Sequence, residues 1–224
     1  MNSKSQQARE AIFAKLKAAP VQTKQEELPH WQAWSSDKAD ERVARLLGCM
    51  EASHTEIFRT DSNNLERDLI NCIESNQFGS VLFGKMNPYL EAIQASCPNV
   101  EAKAYDQPIE GFKTALFENI DASVNVIQAA IADTGTLAVL TGENEPRALS
   151  LVPPTHIAIL RESDIVPNFS ELMQSPFWQQ GNWGERPPTN MLLISGPSKT
   201  ADIQQTLAYG AHGPKRLILF LVKE

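Results

Sequence analysis

The stretch SGPSKTADIQQTLAYGAHGP, Ser195–Pro214, lies between two apolar runs, Met191 to Ile194 and Leu217 to Val222. Read in order, it predicts a strand, a tight polar turn, a helix, a second turn and a strand. A β-α-β unit of this kind builds a parallel sheet. It also leaves hydroxyls and unpaired backbone N–H groups at the mouth of a helix, where anions bind. Ser198 is a good N-cap, with Thr200 as its rival, and Gly210 fits the position that closes a helix after Tyr209. Gly196 permits a positive φ or a close backbone approach. Lys199 falls in the first turn, where the helix dipole disfavours a cation, and a bound anion would remove that conflict. Ser195, Gly196, Ser198, Lys199, Thr200 and Asp202 are therefore the expected ligand residues. The alternative is a capped helix with a solvated lysine. The spacing GxxxxGK[ST] is absent, so this is not a Walker A loop.

Working outward, the chain alternates in type. Ser3 to Ala18 has the spacing of an amphipathic helix, which Pro20 ends. Val21 to Ser36 reads as an extended arm carrying Trp31 and Trp34, which dock either on the same domain or on a partner subunit, such as a second copy of the chain. From Asp37 onward the pattern is regular: helix to Ala52, strand Thr55 to Arg59, helix from Asp61 or Ser62 to about Asn76, strand Ser80 to Phe83, helix Asn87 to Ala95, strand Val100 to Tyr105. This organisation predicts an arm over 1–36 and an α/β domain over 37–224 with a mostly parallel sheet. Leu137 to Thr141, Ala148 to Val152 and Ile157 to Leu160 read as three strands in quick succession. Their connections are too short for crossover helices, so they are expected as antiparallel neighbours. Pro167 to Gln174 reads as a helix, and Ser175 to Thr189, with Trp178 and Trp183, as a long loop.

Composition limits the function. With 224 residues, 42% of them hydrophobic, the chain can bury a large core without metal or disulfide. A formal charge of −7 argues against nucleic acid as a main partner. The three cysteines, Cys49, Cys72 and Cys97, stand singly with no CxxC pair, so neither a structural zinc nor an iron–sulfur cluster is expected on this chain. The start has no apolar signal core and no window approaches the roughly 18 apolar residues of a membrane span, which predicts a cytoplasmic protein.

The remaining polar punctuation is sparse. Ala132-Asp133-Thr134-Gly135-Thr136 reads as a hydroxyl-lined tight turn. Its hydroxyls either bond their own backbone or face the crevice of Ser195 and Ser198, with Asp133 as a nearby carboxylate. Arg147 is either a surface residue or a carboxylate clamp. His156, after Pro153-Pro154-Thr155, is either structural or part of a site. His212 follows the expected helix, and a helix of about ten residues runs about 15 Å. Unless that helix is short, His212 lies at the amino end of the next strand, away from Ser195 and on another surface, because ligands of open α/β sheets gather at carboxyl ends; with a short helix it stays a second-tier ligand candidate beside Asp133, Arg147 and His156. HExxH, GxSxG and GxGxxG are all absent, so no catalytic residue is assigned.

Taken together and in order, ADTGT at Ala132 to Thr136, the stretch from Arg147 ending PPTH at His156, SGPSKTADI at Ser195 to Ile203 and GAHGP at Gly210 to Pro214 resemble the lactate-utilisation (LUD) domain family, in particular its protein C type. The resemblance is strong over Asp121 to Lys223 and rests on pattern alone over Asp37 to Tyr105. It implies a three-layer α/β/α sandwich like that of NagB, ribose-5-phosphate isomerase and the CoA transferases. It also implies a part in oxidising L-lactate to pyruvate beside two partner proteins, A and B, which carry the iron–sulfur clusters. This chain would then be a non-redox subunit that binds a small anionic metabolite or organises the complex. The alternative is a free-standing enzyme acting on a small phosphorylated or carboxylated metabolite, in the manner of an isomerase or cyclo-ligase.

Overall fold

A computed structural model describes residues 3–18, 32–179, 190–201, 207–210 and 212–224. The chain divides into two units, Met1–Gln32 and Ala33–Glu224. In the first, α1 (Ser3–Ala18) is exposed along its described side chains, including Ile12, Phe13 and Leu16, and the Arg9 guanidinium lies 5.1 Å from the centre of the Phe13 ring. Most of the arm, Trp31 included, and the far part of the loop with Trp183 lie outside the described residues.

The second unit opens with α2 (Ala39–Ala52), β1 (Glu56–Asp61), α3 (Leu65–Ser75), β2 (Ser80–Phe83), α4 (Leu90–Ser96) and β3 (Glu101–Ala104). These follow the alternation expected from sequence. Next come α5 (Ile109–Glu118), β4 (Ala122–Val126), β5 (Ala129–Ile131), β6 (Thr136–Thr141), α6 (Arg147–Leu151), β7 (Thr155–Arg161) and β8 (Ile165–Val166). The chain ends with α7 (Phe169–Gln174), α8 (Pro176–Gln179), β9 (Asn190–Ile194), β10 (Lys199–Ala201), β11 (Leu207–Tyr209) and β12 (Arg216–Lys223).

Six strands in the order β1-β12-β7-β4-β2-β3 form a parallel sheet. Its central strands are buried on both faces, and their side chains alternate between two cores as the pleat requires. Ile218, Phe220 and Val222 of β12 pack with Ile157 and Ile159 of β7 against Leu65, Leu69 and Ile73 of α3 and Ile93 of α4. Leu217, Leu219 and Leu221 face the other way with Ala158 and Leu160, onto Val43, Leu46 and Met50 of α2 and onto Leu137 and Val139 of β6. The fold is thus α/β, with a parallel sheet flanked by helices on one side and by α2 and a second sheet on the other. That second sheet has four strands in the order β8-β5-β6-β9, with β6 antiparallel to both neighbours.

Three expectations are corrected. Ala148 to Val152 is not a strand: α6 occupies it, with Pro146 directly before its first residue and with Leu149 packed on Leu82 and Leu116. Alanine and leucine favour the helix, and the proline costs no hydrogen bond at that end. Consequently β6 and β7 are not neighbours but lie in different sheets. The quoted stretch is not a crossover helix either. Residues 199–201 and 207–209 pair as antiparallel strands, and β9 and β12, which flank them, belong to different sheets. The ribbon is tied down at its base, where Ser198 N–H donates to Pro214 O (2.9 Å) and Gly210 N–H donates to Ser198 O (3.0 Å).

Candidate functional site

The pairing of β6 with β9 builds the site. Leu137 lies opposite Ile194, so Thr136 and Ser195, one step further out, are brought side by side. Their hydroxyls are 2.7 Å apart, and Thr134 Oγ1 lies 2.7 Å from Thr136 Oγ1. The turn and the strand end thus share one row of three hydroxyls, Thr134, Thr136 and Ser195. Gly135 makes the turn possible: its φ is +62°, and a Cβ there would stand 2.5 Å from Cys49 Cβ at the end of α2. Gly196 has φ +135° and a Cβ there would meet Ser53 at 2.9 Å, so the second bend leans on the same helix end. Asp133 pairs with Arg45 of α2 at 3.2 Å, while the Arg45 guanidinium lies over the Trp34 ring.

Beside the hydroxyl row is a cavity of about 190 Å³, lined by Ser195, Gly196 and Ser198, by Ser150 and Leu151 of α6, by His156 and Leu217, and by His212 to Pro214. His212 therefore lies with Ser195, not on the separate surface that a full crossover helix would have given it. That expectation needed a helix to carry the chain across the sheet, whereas the paired ribbon returns it beside its starting point. The cavity lies at the amino ends of β7 and β12, not at the carboxyl ends. Lys199 and Thr200 stand on β10 and Arg147 is exposed at the start of α6, and none of the three lines the cavity. Asp202 lies outside the described residues. The helix mouth expected at Ser198 is replaced by a strand, and the Ser198 N–H is already paired.

His156 is fully buried at the cavity floor, and burial holds its imidazole down to about 4, so the ring is neutral at ordinary pH. Its Nε2 lies 3.0 Å from Asn125 Oδ1, which also accepts from Ser150 Oγ at 3.1 Å. Asn125 Nδ2 in turn donates to Glu145 Oε2. Burial pushes the Glu145 carboxyl up to about 7, with the Asn125 amide acting against it. Asn125, Glu145 and Ser150 are not among the residues expected from sequence. The one available signal for Asn125 is an amide between the two valines of β4. Among the described residues no three His, Cys, Asp or Glu side chains converge as a metal-ligand set, and no helix is long and apolar enough to cross a membrane.

The fold and site define a class: an α/β domain in which a parallel sheet meets a smaller antiparallel one, with a small hydroxyl-lined pocket at their junction. The chain belongs to the LUD domain family, whose model matches residues 43–222. It is 35% identical over 223 residues to the uncharacterized protein NMB1437 of Neisseria meningitidis serogroup B, covering 96% of this chain and 93% of that protein. It is 28% identical to Lactate utilization protein C 1 of Bacillus mycoides over 88% of this chain and 85% of that protein. Against Lactate utilization protein C of Bacillus subtilis it is 27% identical over 88% of this chain and 84% of that protein. The crystal structure of a DUF162 family protein from Deinococcus radiodurans has the same fold, with a TM-score of 0.56 at 19% identity, covering 83% of this chain and 98% of that one.

Proposed function

We propose that this chain serves lactate utilisation as a subunit that binds a small carboxylate, lactate or pyruvate, in the pocket beside Ser195, next to partner proteins A and B that hold the iron–sulfur clusters. The relatives named Lactate utilization protein C, similar over most of both chains, support the role. The observation that carries the ligand class is the hydroxyl row. Each of the three linked hydroxyls can donate to the next, so a carboxylate against Ser195 would draw the row's donors toward itself and each bond would strengthen the next. Ser198 and the exposed His212 add donors at the rim, and Leu151, Leu193 and Leu217 offer apolar contact to a methyl group. The volume suits a molecule of a few heavy atoms and is small beside the roughly 300–1,000 Å³ of drug-sized sites.

Calorimetry on the full chain with L-lactate, pyruvate and inorganic phosphate tests the reading. Saturable binding of a carboxylate is expected, weakened about tenfold by Ser195→Ala, since a charge-assisted hydrogen bond is lost. Affinity capture from cells growing on lactate is expected to recover a cysteine-rich partner. No binding and no such partner would sink the proposal. Half-buried Glu145 and fully buried His156, both moved from their ordinary range, support a second reading as a free-standing enzyme. Turnover of a small carboxylated or phosphorylated metabolite by the isolated chain would favour it.

A further inference from the structure

The cavity beside Ser195 carries no fixed charge. Among the described residues that line it there is no Lys, Arg, Asp or Glu, and of its two histidines His156 is fully buried. Its reachable polar groups stand close together. Ser195 and Ser198 are three residues apart, and a Cβ on Gly213, next to His212, would lie 3.1 Å from Ser198 Cβ. Much of the remaining lining is aliphatic, with Leu151, Leu193, Ile194 and Leu217. Leu151 and Leu193 differ from Leu217, which is buried. They come from separate elements, the end of α6 and β9, and they keep 36% and 49% of their surface exposed. Both are open to solvent and both border the cavity, so a molecule held there can cover them.

Building on the pocket reading above, we infer that Leu151 and Leu193 set the ligand's specificity: the site takes short aliphatic monocarboxylates, including those with a tail longer than lactate's methyl, and rejects acids that end in a second anionic group. The hydroxyls of Ser195 and Ser198 answer one carboxylate. A carbon tail laid against the two leucines covers apolar surface that the protein alone leaves in water, and each added CH₂ group contributes. A second carboxylate or a phosphate in the same place gives up hydration and meets no guanidinium or ammonium in return. Selection at the tail therefore comes as much from what the wall refuses as from what it attracts.

The test is calorimetry on the full chain with three probes: L-lactate, L-malate and L-2-hydroxy-4-methylpentanoate, whose branched tail matches malate's in shape but lacks its charge. The branched acid should bind about fourfold more tightly than L-lactate, the worth of one further buried CH₂ group, and at least about tenfold more tightly than L-malate. Leu193→Arg places a guanidinium at the mouth and should reverse the order of malate and the branched acid. Leu193→Ala should bring the branched acid down toward L-lactate. If the arginine variant fails to fold, the alanine variant and the wild-type order decide. Malate binding as tightly as the branched acid, or the branched acid binding more weakly than L-lactate, overturns this inference and leaves the pocket reading standing. If none of the three acids binds, the pocket reading falls and this inference falls with it.

Discussion

At position 135 a single missing methyl group decides how β5 joins β6. Gly135 sits at φ +62° against Cys49, so Gly135→Ala suffers both the left-handed backbone and the overlap. A loss of about 1–3 kcal/mol in chemical unfolding is expected, together with loss of the Thr134–Thr136–Ser195 alignment. Glu145 and His156 make a second prediction. His156 titrates near 4 in the fold against 6.5 when free, so the unfolded chain binds more protons between those values and stability falls as pH drops through them. Glu145 titrates near 7 against 4.5, so the fold binds more protons there and stability falls as pH rises from 4.5 to 7. Between about pH 4.5 and 6.5 the two slopes oppose each other. Unfolding free energies measured against pH should therefore tilt relative to the wild type: upward with pH in Glu145→Gln and downward in His156→Gln, by up to about 1.4 kcal/mol per pH unit. The ADTGT turn and the Ser195 hydroxyl could be read from sequence because glycine between threonines has few other uses. Glu145 could not, because a carboxylate before a proline looks like any solvated loop residue until the fold half-buries it against Asn125.

Elements were legible where local chemistry and burial agree. β12 is a run of apolar residues too short for a buried helix and rich in residues that suit a sheet, and both its faces are covered. Truncating its middle, Leu219→Ala, should cost about 2–5 kcal/mol, seen as a lower denaturant midpoint with an unchanged slope. The segment from Ser195 to Pro214 departs from the expected crossover for a specific reason. A strand, a polar bend and another strand say nothing about which sheet each strand joins, and a short ribbon satisfies the same punctuation as a helix. Leu207 to Tyr209 takes its pairing from Lys199 to Ala201, and Ser198 is held by Pro214, contacts too distant in sequence for periodicity to register. The expected strand at Ala148 to Val152 failed in the opposite way: an apolar run of five fits either state, and packing on Leu82 settles it as helix.

On the scale of the molecule, both sheets and the whole pocket lie within Ala33–Glu224. A chain shortened to these residues should melt in one cooperative transition by calorimetry or circular dichroism and keep its affinity for small carboxylates. A broad or two-step melt would mean that the first unit completes the core. The general architecture was open to reading because alternation of helix and strand constrains the class of fold. The meeting of a parallel with an antiparallel sheet was not, since it depends on β6 leaving the order of its neighbours to pair with β9, far along the chain. The two bends that carry the hydroxyls, one from each of those strands, rest on the last turn of a single helix with only glycine in between. A molecule entering there finds its donors already braced, so little of its attraction is spent on stilling the protein, and even a ligand of a few atoms can be held.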